Sequence, residues 1–378
     1  MLKHIYLHVP FCDGKCVYCG FYSGLYENSQ ADCYIEAVAK ELDLHFAGIK
    51  PMPGTIYFGG GTPSILSEKQ LARLCDIVLE RISADALKEW TIEANPGTLT
   101  ASKLRILKEA GVNRISIGAQ SFDDKVLKSL GRRHGSAEIV STVKSIMSAG
   151  IERVGLDLIA GLPGVDLTMW RKTIQQAIEL EPGHVSVYAL SVEEDSRFEK
   201  LVRAGNVVMP SDDHILEALD IAEAMLDRVG LERYEISNFA RKGMECLHNL
   251  SFWRGDDYAG FGPAAASREG LLRRTNRADA DQYISALLNG RKLLCEEEEL
   301  SAVADVMERL VFAFRLKEGV NMRMFGAKFG ISADVVKLEK VLNRLSGEGL
   351  TVYRNGTWCL TPSGRNMADH VAVELMTG

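Results

Sequence analysis

The chain has 378 residues, 46% of them hydrophobic and 25% charged, which excludes disordered and collagen-like classes and suits one barrel-sized domain with a smaller one. A formal net charge of -7 offers no electrostatic footprint for nucleic acid. Residues 1–10 lack the layout of a secretory signal and no later run is apolar enough to cross a bilayer, so a cytoplasmic protein with reduced cysteines is expected.

The first strand is expected over residues 5–9, with His8 on the face opposite Leu7 and Val9, either approaching the cysteine-bearing loop of residues 11–19 or held as a satisfied interior histidine. Directly after the strand come Cys12, Cys16 and Cys19, spaced C-x3-C-x2-C; the other five cysteines, Cys33, Cys75, Cys246, Cys295 and Cys359, are scattered. Thiolate is the natural ligand of iron–sulfur clusters, and three cysteines within eight positions let one loop wrap three corners of a cube. The fourth iron would then have no protein ligand, the place where S-adenosylmethionine (SAM) chelates in radical chemistry. A zinc site or three structural cysteines is the alternative, but zinc usually takes four ligands and no second pair is present downstream. Cys33, Cys75 and Cys359 read as small core hydrophobes.

Further strands are expected over 55–58, 90–93, 114–117, 155–159 and 184–188, alternating with helical patterns near 31–48, 67–82, 100–110, 136–149 and 167–180. That alternation requires parallel strands with crossover helices, an α/β sheet or barrel. Gly59–Thr62, Glu93–Pro96, Gln120 and Gly161–Pro163 all fall at or just after strands, where barrels and open sheets keep their function. A helix is expected near residues 212–229, then a glycine- and aromatic-rich region over 234–270. The acidic run Glu296–Glu299 is expected to lead a helix, close to a domain boundary. Residues 301–378 read as three helices, a β-hairpin at Asn355-Gly356 and a last helix, a winged-helix-like pattern. This gives a division into 1–235, 236–295 and 296–378. Ten Lys/Arg against eight Asp/Glu in 301–378, a net of +2, is too weak for a DNA-tracking surface. A partner-docking or barrel-covering role is expected for that domain instead.

Taken together, Ile5-Tyr6-Leu7-His8-Val9-Pro10-Phe11-Cys12, Gly59-Gly60-Gly61-Thr62-Pro63, Glu93-Ala94-Asn95-Pro96, Gly118-Ala119-Gln120-Ser121-Phe122, Leu130-Gly131-Arg132 and Asp157-Leu158-Ile159-Ala160-Gly161-Leu162-Pro163 resemble the oxygen-independent coproporphyrinogen III oxidase group of radical-SAM proteins. The resemblance implies a partial (β/α)6 barrel followed by a small C-terminal winged-helix-like α+β domain. It implies a [4Fe–4S] cluster on Cys12, Cys16 and Cys19 and SAM held by Gly60, Gly61, Thr62, Glu93 and Tyr18. Tyr6, Gln120, Arg132 and Asp157 match positions that touch SAM in the family, where a second SAM also occurs. Glycines allow close backbone approach, Glu93 can accept from ribose hydroxyls, and Tyr18 can present its ring to adenine.

Within that group the chain resembles the HemW-type heme-chaperone branch. The oxidases carry a cysteine two residues after the third cluster cysteine, where this chain has Phe21, and an N-terminal extension before the position of Tyr6. His248-Asn249-Leu250-Ser251-Phe252-Trp253 is similar to that branch's heme signature H-N-x-x-Y-W, with Phe252 for Tyr. Imidazole is a standard axial ligand of heme iron, aromatic rings cover porphyrin faces, and Asn249 would orient the ligand or a propionate. A buried turn histidine, or thiolate ligation by Cys246, stays open, and no C-x-x-C-H exists for c-type attachment. The resemblance thus implies a heme-binding chaperone that delivers heme to acceptor proteins. An electron donor is a further partner if the cluster is reduced, and transient contact with membrane proteins is compatible. The competing expectation is an oxygen-independent coproporphyrinogen III dehydrogenase that removes two propionate carboxyl groups.

Overall fold

The computed structural model describes residues 3–194, 196–331 and 335–377. The chain opens with β1 (His4–Val9) and two short strands, β2 (Phe11–Cys12) and β3 (Gly24–Leu25), which pair in parallel and close the cysteine loop at its base. Then come α1 (Asn28–Phe46), β4 (Thr55–Gly60), α2 (Glu68–Arg81), β5 (Glu89–Ala94), α3 (Ala101–Ala110), β6 (Arg114–Gln120), α4 (Asp124–Ser129), α5 (Ser136–Ser148), β7 (Arg153–Ala160), α6 (Leu167–Glu179) and β8 (His184–Ala189). Strands β1, β4, β5, β6, β7 and β8 pair in that order and all in parallel.

Alternation along the strands sorts two faces. Ile5, Leu7, Ile56, Phe58, Trp90, Ile92, Ile115, Ile117, Leu156 and Val185 are fully buried in the main core beneath the helices. The residues between them, among them Tyr6, His8, Tyr57, Glu93, Ser116 and Asp157, therefore line the inner face. Helix starts are built locally. Ser67 Oγ accepts from Gln70 N while Gln70 Oε1 accepts from Ser67 N, a reciprocal cap on α2. Cys75 is buried on that helix, but Cys33 is exposed on α1, not in the core as expected. It falls between the buried Ala31 and Tyr34, in the solvent stripe with Asp32 and Glu36.

Beyond β8 lie α7 (Arg197–Arg203), α8 (Asp212–Asp227) and the edge strands β9 (Glu232–Arg233) and β10 (Asn238–Ala240). Next is α9 (Leu247–Trp253), and β11 (Tyr258–Phe261) adds a parallel strand outside β1. Strands β12 (Ala266–Glu269) and β13 (Leu272–Asn276), α10 (Ala280–Leu288) and β14 (Cys295–Glu299) extend this side with antiparallel pairs. The acidic run is therefore a strand and not the start of a helix. Its register sets Glu297 opposite Arg274 and Glu298 opposite Arg273, with Arg273 Nη2 2.5 Å from Glu298 Oε2, and opposite charges on facing strands favour that pairing.

A second core, including Leu310, Phe314, Leu342, Leu345 and Trp358, belongs to α11 (Ala302–Phe314), α12 (Met322–Phe329), α13 (Val335–Gly347), the hairpin of β15 (Thr351–Arg354) and β16 (Thr357–Leu360), α14 (Pro362–Asn366) and α15 (Ala368–Thr377). Asn355 and Gly356 both have positive φ, 52° and 81°, as the expected two-residue turn requires. Ion pairs tie this unit to the barrel: Arg268 to Asp305, Arg309 to Asp257, and Arg365 to Glu223.

Candidate functional site

Cys12, Cys16 and Cys19 are half-buried, free thiols that line one cavity of about 550 Å³ at the carboxyl ends of the barrel strands. Two of the sulfurs have polar partners: Cys12 Sγ lies 3.4 Å from Thr62 Oγ1, and Arg132 Nη1 donates to Cys16 Sγ at 3.5 Å. The loop between Cys16 and Cys19 is strapped down, because Val17 N donates to Leu130 O at 3.1 Å and Phe198 N to Val17 O at 2.9 Å. Burial pushes the Cys12 and Cys19 thiols up, so metal binding has to displace their protons.

The opposite wall holds Gly60, Gly61, Thr62, Glu93, Gln120 and Asp157, and Tyr18 and Arg132 also reach the cavity. A Cβ on Gly60, whose φ is 102°, would come within 2.4 Å of the His8 ring, and one on Gly61 within 2.6 Å of Phe11 O. Glycine is required at both places by close packing. Glu93 accepts from Tyr57 OH at 2.7 Å and from Gly60 N at 3.1 Å; burial, more than offsetting these bonds, raises its carboxyl to about 7, with Asp157 adding to the rise. Asp157 accepts from Ser116 Oγ at 3.1 and 3.2 Å and is likewise raised by burial. Gln120 has a positive φ of 66°, beside the β6–β7 register shift, a strained backbone at the cavity wall. Tyr6 is not part of that wall: its hydroxyl lies 3.1 Å from His8 Nδ1, and the His8 Nε2 is 2.9 Å from Tyr22 O. His8 is thus a satisfied interior residue that carries Gly60 on its ring.

At the other end of the barrel, α9 seats His248 against the starts of the strands. Its Nδ1 is 2.8 Å from Thr55 Oγ1, and its ring lies 5.1 Å from Tyr57 and 6.3 Å from His4. Burial, with His4 adding to it, pushes His248 down to about 3, so the ring is neutral at physiological pH. The N-terminus of α9 is held from β5, the strand next to the one that carries Thr55. The fully buried Glu89 accepts from Leu247 N at 3.1 Å and His248 N at 3.0 Å, with Arg114 and Arg153 at 3.9 and 3.7 Å from its carboxylate. Cys246 is pushed up to about 12 by burial and then by Glu89, so its thiolate is disfavoured. Trp253 sits five residues on, about 140° round the helix from His248. Its ring is 5.9 Å from Phe312 and 4.4 Å from the Arg315 guanidinium, and Phe252 stacks on Phe312 at 5.2 Å. The structure therefore places His248 and Trp253 in different surroundings, with Asn249 half-buried between them on α9.

Residues 6–177 match the family model "Radical SAM superfamily", and residues 300–366 the model "HemN C-terminal domain". Over 372 residues the chain is 34% identical to the heme chaperone HemW of Bacillus subtilis (strain 168), covering 98% of each protein. The chain belongs to the HemW family. Similarity to the heme chaperone HemW of Escherichia coli (strain K12) is 34% over 367 residues, 96% of this chain and 94% of that one. In fold, this HemW-family chain is similar to coproporphyrinogen III oxidase (HemN) from Escherichia coli, with a TM-score of 0.85 at 22% identity over 100% of this chain and 90% of that one.

A radical-SAM membership brings a [4Fe–4S] cluster and SAM, and the cavity's donor set fits them. Among the described residues no three His, Cys, Asp or Glu side chains form a group able to hold a single metal ion. Thiolates at about 2.3 Å from one zinc would all be drawn to one point. Three thiols spread round a cavity suit a cluster with one cysteine per iron. Asn95, flagged in sequence only as part of Glu93–Pro96, joins Thr62 and Arg132 through its amide at 3.0 and 2.7 Å, whereas Tyr57, Tyr188 and Glu89 were missed. The one local signal was polarity inside apolar strands, as in Trp90-Thr91-Ile92-Glu93.

Proposed function

We propose that this chain is a heme-binding chaperone that keeps a SAM-bound [4Fe–4S] cluster and hands heme to acceptor proteins. The observation that carries it is the anchoring of the His248 ring, whose Nδ1 lies 2.8 Å from Thr55 Oγ1. With Nδ1 engaged by Thr55 and the ring neutral, Nε2 is the nitrogen left for iron, the arrangement by which outer partners orient metal-ligating histidines. Relatives named heme chaperone along nearly the whole chain support the same reading. Phe21, two-thirds exposed at the cavity where the oxidases have a cysteine, argues against the dehydrogenase alternative.

In this reading Cys12, Cys16 and Cys19 hold the cluster, and Gly60, Gly61, Thr62 and Glu93 hold SAM, with Tyr18, Gln120, Arg132 and Asp157 around it. When bound, the pair supplies one-electron chemistry at the cavity. The protein's own part is to keep Glu93 in place through Tyr57 and Gly60 N, to screen Cys16 with Arg132, and to hold α9 from Glu89. Heme is cargo at α9, and an electron donor and membrane-bound acceptors are partners of the same scheme. Among the described residues no helix is long and apolar enough to cross a membrane.

Hemin titration tests this. His248→Ala should shift the Soret band and weaken binding, Cys19→Ser should lose the cluster and keep heme, and Cys246→Ser should bind as wild type does. Unchanged spectra and affinity in His248→Ala would sink ligation by this histidine, and conversion of coproporphyrinogen III to protoporphyrinogen would favour the dehydrogenase.

A further inference from the structure

The two candidate sites lie at opposite ends of the barrel, and one side chain touches both. Tyr57, on the inner face of β4, packs its ring on the His248 imidazole at 5.1 Å and 33°, and its hydroxyl donates to Glu93 Oε1 at 2.7 Å. The other oxygen of Glu93 accepts Gly60 N at 3.1 Å, inside the glycine turn of the cavity. His248, Tyr57, Glu93 and Gly60 thus form a continuous column of contacts along the barrel axis. Burial raises both the Tyr57 phenol and the Glu93 carboxyl.

We propose that Tyr57 couples heme on α9 to SAM in the cavity, so that each ligand tightens the binding of the other. This rests on the heme-chaperone reading and adds its regulation. Iron on Nε2 fixes the imidazole plane, with Nδ1 already held by Thr55. A fixed imidazole confines the phenol ring packed against it, and the confined hydroxyl keeps Glu93 in the orientation in which its carboxylate can accept from a ligand. The ordering cost met by the first ligand is then not met again by the second, which gives positive cooperativity without a large movement. Linkage makes the effect reciprocal.

The test uses full-length protein with its cluster reconstituted anaerobically. Equilibrium dialysis of radiolabelled SAM with and without hemin gives one coupling factor, and hemin titration by the Soret band with and without SAM gives the other. In wild type both factors should be equal and at least about 5-fold. Tyr57→Phe keeps the ring and removes the bond to Glu93, so hemin should still give the wild-type Soret band while the coupling disappears. Tyr57→Leu, which removes the ring contact, should lose the coupling too, with cluster iron and sulfide content as the check on folding. A wild-type factor of one, or coupling retained in Tyr57→Phe, overturns the link; a lumen filler alone would leave it intact in this near-isosteric variant. A wild type that gives no Soret band removes the chaperone reading and the coupling with it.

Discussion

Glu89→Ala removes the acceptor that holds the first turn of α9. Glu89 is fully buried, and its carboxylate takes Leu247 N at 3.1 Å and His248 N at 3.0 Å. Cys246, the residue before the helix, makes no side-chain cap of its own. A helix of seven residues has little stability apart from such contacts. Two charge-assisted hydrogen bonds at about 1.5 kcal/mol each, the low end of their range, amount to about 3 kcal/mol. If α9 opens locally, that loss speeds amide exchange by about 100-fold, since about 1.4 kcal/mol is a factor of ten. Hydrogen–deuterium exchange on peptides spanning residues 246–253 measures it directly, with Arg114 and Arg153 left short of a carboxylate as a further cost. Glu89→Gln keeps one acceptor oxygen and should fall between the two. Exchange in Glu89→Ala within about threefold of wild type would refute the argument that this carboxylate holds α9.

Cys12→Ser, Cys16→Ser and Cys19→Ser should each abolish the brown chromophore and its iron and sulfide, while Cys33→Ser on the exposed face of α1 and Cys75→Ser in the core keep them; full iron in Cys16→Ser would place the cluster elsewhere. SAM affinity should weaken as pH falls through about 7, because protonated Glu93 loses acceptor capacity, and pH-dependent dialysis reads this directly. For the ligand-free protein the sign is opposite: a carboxyl raised by burial contributes stability below its ordinary value of 4.5, and that contribution is lost as pH rises through about 7. Gly60→Ala meets the His8 ring and a φ of 102°, so about 1–3 kcal/mol of strain is expected, with weaker SAM binding and a lower thermal midpoint. A Gly60→Ala protein with unchanged SAM affinity would show that the turn does not hold SAM.

The cysteine loop, the β/α alternation and the Asn355-Gly356 hairpin were legible because each rests on neighbours in the chain: ligand spacing, period-two and period-3.6 apolarity, and turn residues with positive φ. The glycines of the cavity were legible as residue types, but their reason was not. It lies in the His8 ring and Phe11 O, which only folding brings against them. Glu296–Glu299 shows the limit of local charge. The run suits a helix start, yet pairing with Arg273 and Arg274 on β13 makes it a strand.

The motif around His248 was visible in sequence, but its place was decided by the tertiary structure alone. Thr55 lies 193 residues away, and Glu89 and Tyr57 reach α9 from strands whose sequences carry no mark of that contact. Sequence by itself determined which groups are available and which elements carry them, because propensity and ligand spacing act over a few residues. The order in which the parallel strands pair side by side decided which groups meet. It put the three cysteines and Glu93 at one end and His248 at the other, with Tyr57 between them, through long-range pairings that no local pattern encodes.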